Sequence, residues 1–446
     1  MIAIVGGGIA GLSAAYELSR RNVRFRLFEA SGRLGGCIRT ECIDGFTIDA
    51  GADSMLAQKR AAIDLCIELG LESHLIPTNV PRTAFVLHAG RLHPLPSPSM
   101  LGIPATWGGL LNFDLLPLGG RARLALEPLI ARRDDRSDES IGGFFARRFG
   151  RATVDLLAQP LLGGIHSGDV STLSMRALLP RLAEAEVSGS VLRWVQRVAS
   201  SRDPDGAFRS LSGGMAEMVE AIRRRLPAES VELNAEVDAL ERGWKIRAGG
   251  REFDCSAVIL ATPAHAAARI LADVDPVASG LCGRTAYTSS ASVVLGFPRD
   301  AVGHPLNGTG FVVARRTHSG RMNACTWSSS KFTGRAPAGS VLLRGFFGGA
   351  FDPDAVALSD DELIALAMRE LSSVLSIDGT PQLARAYRWR NASAQHDITH
   401  PARMEQLRQR LERLPGVFVT GSGFRTVGVP DCVADGRATA GAASRL

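Results

Sequence analysis

The chain opens on an apolar run, residues 2–5, and passes directly into Gly6-Gly7-Gly8-Ile9-Ala10-Gly11. A short, wholly apolar run predicts a strand buried on both faces, as in a parallel sheet. Residues 12–21 have helical composition, and 24–28 read as a second strand ending at Glu29. Farther on, 231–237 and 257–263 carry strand patterns, and 359–376 and 401–413 predict helices. The stretch 281–350 holds short runs of Val, Thr, Ser and Gly, which predict antiparallel strands. Residues 90–205 have helical composition apart from a proline-rich start. No internal repeat or low-complexity tract is visible.

Composition narrows the class. At 446 residues the chain is too long for one small core, and two or three lobes are expected. A hydrophobic fraction of 45% with 22% charged residues is ordinary for a globular protein. The net charge is +6, but the basic residues are scattered and no aromatic stripe accompanies them, which speaks against a nucleic-acid partner. Lys59, Lys245 and Lys331 are the only lysines, so nearly all the positive charge is arginine, a residue suited to carboxylate and phosphate. The seven cysteines (37, 42, 66, 255, 282, 325 and 432) show no Cys-x-x-Cys spacing, so neither a disulfide framework nor a metal site is predicted and a reducing cytoplasm fits best. An apolar strand beginning almost at Met1 leaves no room for a signal peptide. The apolar stretch 92–120 contains one charged residue, Asp114, but five prolines and several glycines defeat a spanning helix. It reads equally as a buried or tunnel-lining loop and as a surface touching the inner face of the cytoplasmic membrane.

The first glycine motif carries specific chemistry. Gly6 permits a turn, Gly8 lets backbone approach a pyrophosphate, and Gly11 lets helix and strand pack closely. The helix N-terminus offers free N–H groups and the positive end of its dipole to phosphate. Glu29, at the end of the second strand, can accept hydrogen bonds from ribose hydroxyls. Strand, glycine loop, helix and acid together form a dinucleotide site. The predicted fold is therefore α/β (α+β): a discontinuous Rossmann-type domain, an antiparallel-sheet domain and an inserted helical domain with scope for membrane contact. The pieces are 1–75, 207–271 and 416–446 for the dinucleotide domain, 76–90 and 272–415 for the substrate domain, and 91–206 for the helical domain.

Two further blocks resemble the flavin oxidase and amine oxidase superfamily: Arg33-Leu34-Gly35-Gly36-Cys37 and Gly51-Ala52-Asp53-Ser54. Other segments resemble its FAD-dependent, oxygen-dependent protoporphyrinogen and coproporphyrinogen oxidases. These are 140–150, the glycine loop 160–169, Cys325-Thr326-Trp327-Ser328-Ser329-Ser330-Lys331-Phe332, residues 341–344, and Gly421 to Val433. The resemblance runs over nearly the whole chain. It implies FAD, contacted at Gly6, Gly7, Gly8, Ile9, Ala10, Gly11, Glu29, Ala30, Arg33, Gly36, Cys37, Gly51, Ala52, Asp53, Ser54, Val237, Trp389, Val427, Gly428 and Val429. It also implies a basic residue for the substrate propionates, with His88 and Arg91 as candidates, and carbonyls of Gly163 or Gly164 that accept from pyrrole N–H groups. One departure stands out: Ala394-Gln395-His396 replaces the Pro-Gln-Tyr that commonly follows the family's Trp.

The implied reaction is six-electron oxidation of a porphyrinogen in two-electron steps, with a hydride passing to flavin N5 and oxygen as final acceptor. No Ser–His–Asp, Cys–His or paired-carboxylate constellation is present. No catalytic acid or base is therefore assigned, although His166 lies in the glycine loop. Within the family, the apolar 92–120 stretch favours protoporphyrinogen IX over the alternative, coproporphyrinogen III. An amine oxidase, a carotenoid-desaturase-like enzyme and a non-enzymatic flavoprotein are the remaining alternatives, and the scarcity of Lys and Tyr weakens the first. The resemblance leaves open a homodimer and contact with ferrochelatase or a neighbouring haem-pathway enzyme.

Overall fold

A computed structural model describes all residues except 134, 136, 200–204, 315–319 and 426. Its centre is a five-stranded parallel sheet in the order Val231–Glu232, Phe25–Phe28, Ile2–Val5, Ala257–Leu260, Val417–Val419. Alternate residues of the first strand face opposite layers. Ile2 and Ile4 pack under helices Ile9–Arg20 and Val429–Ala443, while Ala3 and Val5 pack under helix Ala264–Leu271. Being covered on both faces is what makes these strands uniformly apolar.

Some features depart from the sequence expectation. Within 231–237 only Val231–Glu232 joins the central sheet. Val237 instead opens a three-stranded antiparallel sheet, Val237–Glu241, Lys245–Ala248 and Arg251–Asp254, whose Phe253 ring lies 4.9 Å from Phe28. Helices Pro276–Gly283 and His400–Leu411 also bury their apolar faces against the central sheet's cluster, although both lie inside the stretch 272–415.

The second sheet has seven strands in the order Leu383–Gln395, Ala286–Pro298, Ser340–Gly348, Ala324–Trp327, Gly310–Val313, Ala84–His88, Arg91–Pro94. Every pairing is antiparallel except Gly310–Val313 with Ala84–His88. Helix Asp360–Leu375, opened by a capping box between Ser359 and Glu362, covers one face with Leu363, Leu366, Leu371 and Leu375. The hairpin Thr40–Ile43/Phe46–Asp49 covers part of the other face, with Phe46 and Ile48 against Val294, Leu342 and Tyr387. The seven-stranded sheet also reaches the helical layer of the central sheet, the Tyr287 hydroxyl accepting from the Ala264 N–H at 2.7 Å.

The inserted lobe is helical. Ser140 caps helix Ile141–Phe149 by accepting from the Gly143 N–H at 3.0 Å. The segment expected as a glycine loop is instead wound: Val154–Gly163 forms a wide helix containing Pro160, continued by Gly164–His166 and ended by Ser167 at φ +51°. Pro160 has no N–H to give and its ring crowds the preceding turn, and widened turns relieve both problems. The apolar stretch 92–120 is largely consumed by packing: Ile103, Leu110, Phe113, Leu115 and Leu116 are all buried. Among the described residues, no helix is long and apolar enough to cross a membrane.

A buried charge pair closes the lobe. Glu127 and Arg148 are hydrogen-bonded at 0% and 1% side-chain exposure. Glu127 also accepts from the backbone N–H of Val191 (3.0 Å) and Leu192 (3.1 Å), and Arg148 donates to the Ile130 carbonyl at 2.9 Å. Removing one partner of such a pair strands the other charge. Glu127→Ala is expected to lower unfolding stability by about 3–5 kcal/mol in urea melts. Glu127→Gln, which keeps an acceptor, is expected to cost clearly less.

Candidate cofactor and substrate cleft

The glycine motif sits where strand Ile2–Val5 meets helix Ile9–Arg20. Gly6 has φ +107°, and a Cβ there would lie 2.6 Å from the Ala261 carbonyl oxygen. A Cβ on Gly11 would lie 1.9 Å from the Gly6 carbonyl oxygen, so helix and strand touch backbone to backbone. Gly8 is different. It has an ordinary extended φ of −70°, and a Cβ on it would come no nearer than 4.0 Å to any atom, the nearest being Gly36 Cα. The second glycine turn is laid against the first, with the Gly35 N–H donating to the Gly7 carbonyl at 2.8 Å. Arg33 braces that turn by donating to the carbonyls of Gly36 (2.6 Å), Leu34 and Ile38 (3.3 Å each).

Glu29 lies at the far end of the loop. Its carboxylate accepts from the Gly7 N–H at 2.7 Å and from the Ser31 N–H and hydroxyl. Ala30 beside it is exposed, and Ile9 and Ala10 form the first helical turn. The Ala235 N–H donates to the Glu29 carbonyl at 2.9 Å, which brings the entrance to Val237 alongside.

Residues 50–54 form the next wall. Gly51 is crowded, since a Cβ would lie 1.7 Å from the Cys37 carbonyl oxygen, and the Ala52 N–H donates to that oxygen at 3.2 Å. Arg344, from the seven-stranded sheet, donates to the carbonyls of Ala50 and Gly51, the latter at 2.7 Å. Trp389 Nε1 donates to the Ala50 carbonyl at 3.1 Å. Lys331 Nζ meets Asp53 at 2.9 Å. Burial pushes the Asp53 carboxyl up, but the Lys331 ammonium and the Ser54 hydroxyl outweigh it and hold the group down at about 2. Asp49, one strand-end earlier, pairs with Arg335 at 3.1 Å. Sequence reasoning named Gly51, Ala52, Asp53, Ser54 and Trp389, but gave no role to Lys331, Arg335 or Arg344. Their function is visible only once the two sheets are docked.

The C-terminal segment brings a second helix N-terminus. Gly428, at φ +139°, precedes helix Val429–Ala443, and no side chain caps it. Lys59 Nζ, also unassigned from sequence, meets Asp431 in the first turn at 2.6 Å. Val427 adjoins this start, while Thr426 lies outside the described residues. Cys432 is buried, and desolvation pushes its thiol up to about 12, so it stays protonated.

Between this segment and the inserted lobe lie three histidines. His396 is fully buried, its Nε2 2.8 Å from the Ser422 carbonyl oxygen. Its ring stacks on His400 at 3.9 Å and 7°. His166, whose carbonyl accepts from Gln395 Nε2 at 2.9 Å, is electrostatically coupled to His396. Burial first, then His396 and Lys59, lowers His166 to about 4. Burial also lowers His396.

Gly163 and Gly164 line a narrow cleft with Gln159, Ser167, Asn323 and Phe351. His88 and Arg91 form the ends of the hairpin at the edge of the seven-stranded sheet. Leu87, just before His88, is in register with Val313, another residue of that cleft. His88 therefore stands one position beyond the cleft wall, and Arg91 is exposed across the turn.

The residues fit a flavin dinucleotide. Gly8 leaves open space where a side chain would otherwise reach, Thr262 Oγ1 beside the loop is buried without a partner, and two helix N-termini lack side-chain caps. Those are donors and room in the positions a pyrophosphate and an isoalloxazine edge require.

Comparison with known proteins agrees. The family model of the flavin containing amine oxidoreductases matches residues 9–444. The chain is 35% identical to the coproporphyrinogen III oxidase of Bacillus subtilis, over 98% of this chain and 96% of that one. It is 26% identical to protoporphyrinogen oxidase 2 of Arabidopsis thaliana, over 98% and 92% of the respective lengths. A crystal structure of a provisionally named protoporphyrinogen oxidase from Exiguobacterium sp. 255-15 superposes with a TM-score of 0.88 at 29% identity, covering 99% of this chain and 97% of its own.

The open space at Gly8 makes a sharp test. Gly8→Val is expected to fold normally by circular dichroism yet to lose the yellow flavin absorbance on purification. Gly11→Ala, whose Cβ meets backbone, is expected to lower folding stability as well as flavin content.

Proposed function

The chain belongs to the flavin containing amine oxidoreductases and, within them, to the FAD-dependent porphyrinogen oxidases; from that premise we propose that its substrate is coproporphyrinogen III. The observation carrying this reading is the whole-length similarity at 35% identity to a coproporphyrinogen III oxidase, against 26% to a protoporphyrinogen oxidase. It reverses the preference for protoporphyrinogen IX, which rested on the apolar stretch 92–120. That stretch packs into two internal clusters, so its hydrophobicity argues little for a membrane or for the more apolar substrate.

FAD, when bound, supplies the two-electron acceptor that carbon–hydrogen oxidation needs and that no side chain provides. The chain's own part is positioning. The Gly8 helix start receives the pyrophosphate, Glu29 the ribose, and the Gly428 helix start the far edge of the ring system. Arg344, Trp389 and Lys331 keep residues 50–54 from shifting under the cofactor. Gly163 and Gly164 present backbone rather than side chains to the macrocycle, which orients a pyrrole ring without adding charge. His88 and Arg91 stand at the cleft edge, where a propionate of the substrate emerges. Four propionates favour a chain whose cations are almost all arginine. Molecular oxygen is the final acceptor in this reading, and the seven free cysteines suit a reducing cytoplasm.

The purified flavoprotein, offered each porphyrinogen in air and followed by product fluorescence, is expected to favour coproporphyrinogen III in kcat/KM by about tenfold or more, as two extra carboxylate contacts would give. A preference for protoporphyrinogen IX would reject the assignment. Arg91→Ala is expected to raise KM for coproporphyrinogen III about two- to fivefold with kcat unchanged, the signature of a lost solvent-exposed ion pair.

A further inference from the structure

The narrow cleft is walled on one side by Gly163, Gly164, Ser167 and Gly168 of the inserted lobe and on the other by the sheet domain, including Asn323 and Ala350. A turn so rich in glycine has little stiffness of its own. The contacts that hold turn 163–168 therefore decide where its backbone stands in the cleft.

Gln395, the last residue of strand Leu383–Gln395, supplies the side chain among those contacts that comes from the sheet. Its Nε2 lies 2.9 Å from the His166 carbonyl oxygen, 3.0 Å from the Ser393 carbonyl oxygen and 3.1 Å from the Thr288 hydroxyl. Carbonyls only accept, so the amide nitrogen has to face them, and the orientation of the amide follows. The amide oxygen lies over Gly168, where a Cβ would run into it and would also come within 2.9 Å of Leu173 Cδ1. One side chain thus grips the turn twice, by a hydrogen bond at 166 and by contact at 168. Between these points the Ala350 N–H donates to the Ser167 carbonyl at 2.9 Å. Offering two successive carbonyls to the sheet bends the chain sharply. Ser167 takes φ +51°, a left-handed conformation that a residue with a side chain keeps only where its surroundings hold it there. From within the lobe, Gln159 donates to the Gly168 carbonyl and accepts from the Val170 N–H, both at 3.0 Å. Docking of the lobe does not need the Gln395 side chain. The Ser174 N–H donates to the His396 carbonyl at 2.8 Å and Leu173 pairs with Asp397, main chain to main chain. Loss of the Gln395 amide therefore loosens the turn and leaves the lobe in place.

We propose that Gln395 is a positioning residue for the substrate: by clasping the His166 carbonyl and resting its amide oxygen on Gly168, it fixes the cleft-facing backbone of turn 163–168 and, through it, the hold on the tetrapyrrole core. The proposal rests on the porphyrinogen reading above and deepens it. Gln395 is not among the residues that line the cleft, so it acts through the turn. A loosened turn has to be ordered when the substrate binds, a cost that falls on ground state and transition state alike. Its signature is a raised KM with kcat unchanged. A merely structural side chain would instead lower the amount of active flavoprotein and leave the KM of the remainder as it was. The two porphyrinogens share the tetrapyrrole core and differ in their number of propionates, so both are weakened by one factor. A residue that meets propionates at the rim would shift the balance between them.

Gln395→Met keeps the length of the side chain and loses its hydrogen-bonding groups. It is expected to retain flavin and kcat and to raise KM about two- to tenfold, as the loss of one hydrogen bond would give, for coproporphyrinogen III and protoporphyrinogen IX alike. The dissociation constant of coproporphyrin III, read from the quenching of its fluorescence by the purified flavoprotein, is expected to rise by the same factor. An unchanged KM, or a rise confined to one porphyrinogen, overturns the proposal. Gly168→Ala, which pushes the amide aside, is expected to raise KM to a similar extent, and the double variant no further than the larger of the two single rises. A rise equal to the product of the two means that the positions act separately, and also overturns it. If Gln395→Met does not hold flavin, Gly168→Ala carries the test, and an unchanged KM there overturns the proposal. A wild-type protein that oxidises neither porphyrinogen rejects the functional reading together with the positioning role. Normal wild-type turnover with KM unmoved in the variants rejects the positioning role alone.

Discussion

The docking of the seven-stranded sheet on residues 49–53 depends on one buried seam of charge. Segment 331–344, which leads into strand Ser340–Gly348 of the seven-stranded sheet, reaches across to residues 49–53 of the dinucleotide domain with three cations. Lys331 meets Asp53, Arg335 meets Asp49, and Arg344 grips the carbonyls of Ala50 and Gly51. Arg335 and Arg344 are 2% and 5% exposed, so neither can be satisfied by water instead. Burying charge is unfavourable unless every partner is in place. The seam therefore acts as a test of register: a shift of the sheet by one residue would strand cations in an apolar wall. That is stricter than hydrophobic packing alone, which tolerates sliding, and it places Gly51 against the Cys37 carbonyl with no room for a side chain.

What could be read from the chain alone follows the range of the forces involved. The glycine turns were legible because backbone contacts such as Gly11 against Gly6 exclude a Cβ whatever surrounds them. Helix Asp360–Leu375 was legible because its capping box and apolar stripe are local. The sheet 237–254 was not recognised as a unit, although its turns announce themselves at Gly243 and at Gly249-Gly250, all with positive φ. The wide helix Val154–Gly163 was hidden because its glycines and Pro160 read as a loop, and only the surrounding lobe forces it to wind. Lys59, Lys331 and Arg344 acquire meaning from partners far away in sequence, as in Lys331 with Asp53, so no local pattern could give them a role.

The apolar stretch 92–120 was open to two readings from sequence, a buried loop and a surface touching a membrane, and the second favoured the less charged substrate. In the folded chain Ile103 and Leu110 join the core of the helical lobe, while Phe113, Leu115 and Leu116 pack with Val86 of the seven-stranded sheet. Trp107, Leu111 and Leu118 do remain exposed, scattered along two short helices. The run joins lobe and sheet: it is apolar where it is covered on both sides, and prolines break it where it changes direction.

The same reasoning gives the electrostatics of the cleft a direction. Its cations are concentrated in the seam behind residues 50–54, where each is matched to a carboxylate or a carbonyl. The wound glycine segment at Gly163 and Gly164 offers backbone rather than charge to the cleft that it lines. On the porphyrinogen reading, a substrate bearing carboxylates would be attracted at the rim, where His88 and Arg91 stand, and would meet backbone at Gly163 and Gly164. Oxidation of such a ring generates positive charge on it transiently. A wall of backbone leaves that charge free to depart as a proton, whereas a fixed carboxylate there would bind it and a fixed cation would oppose its formation.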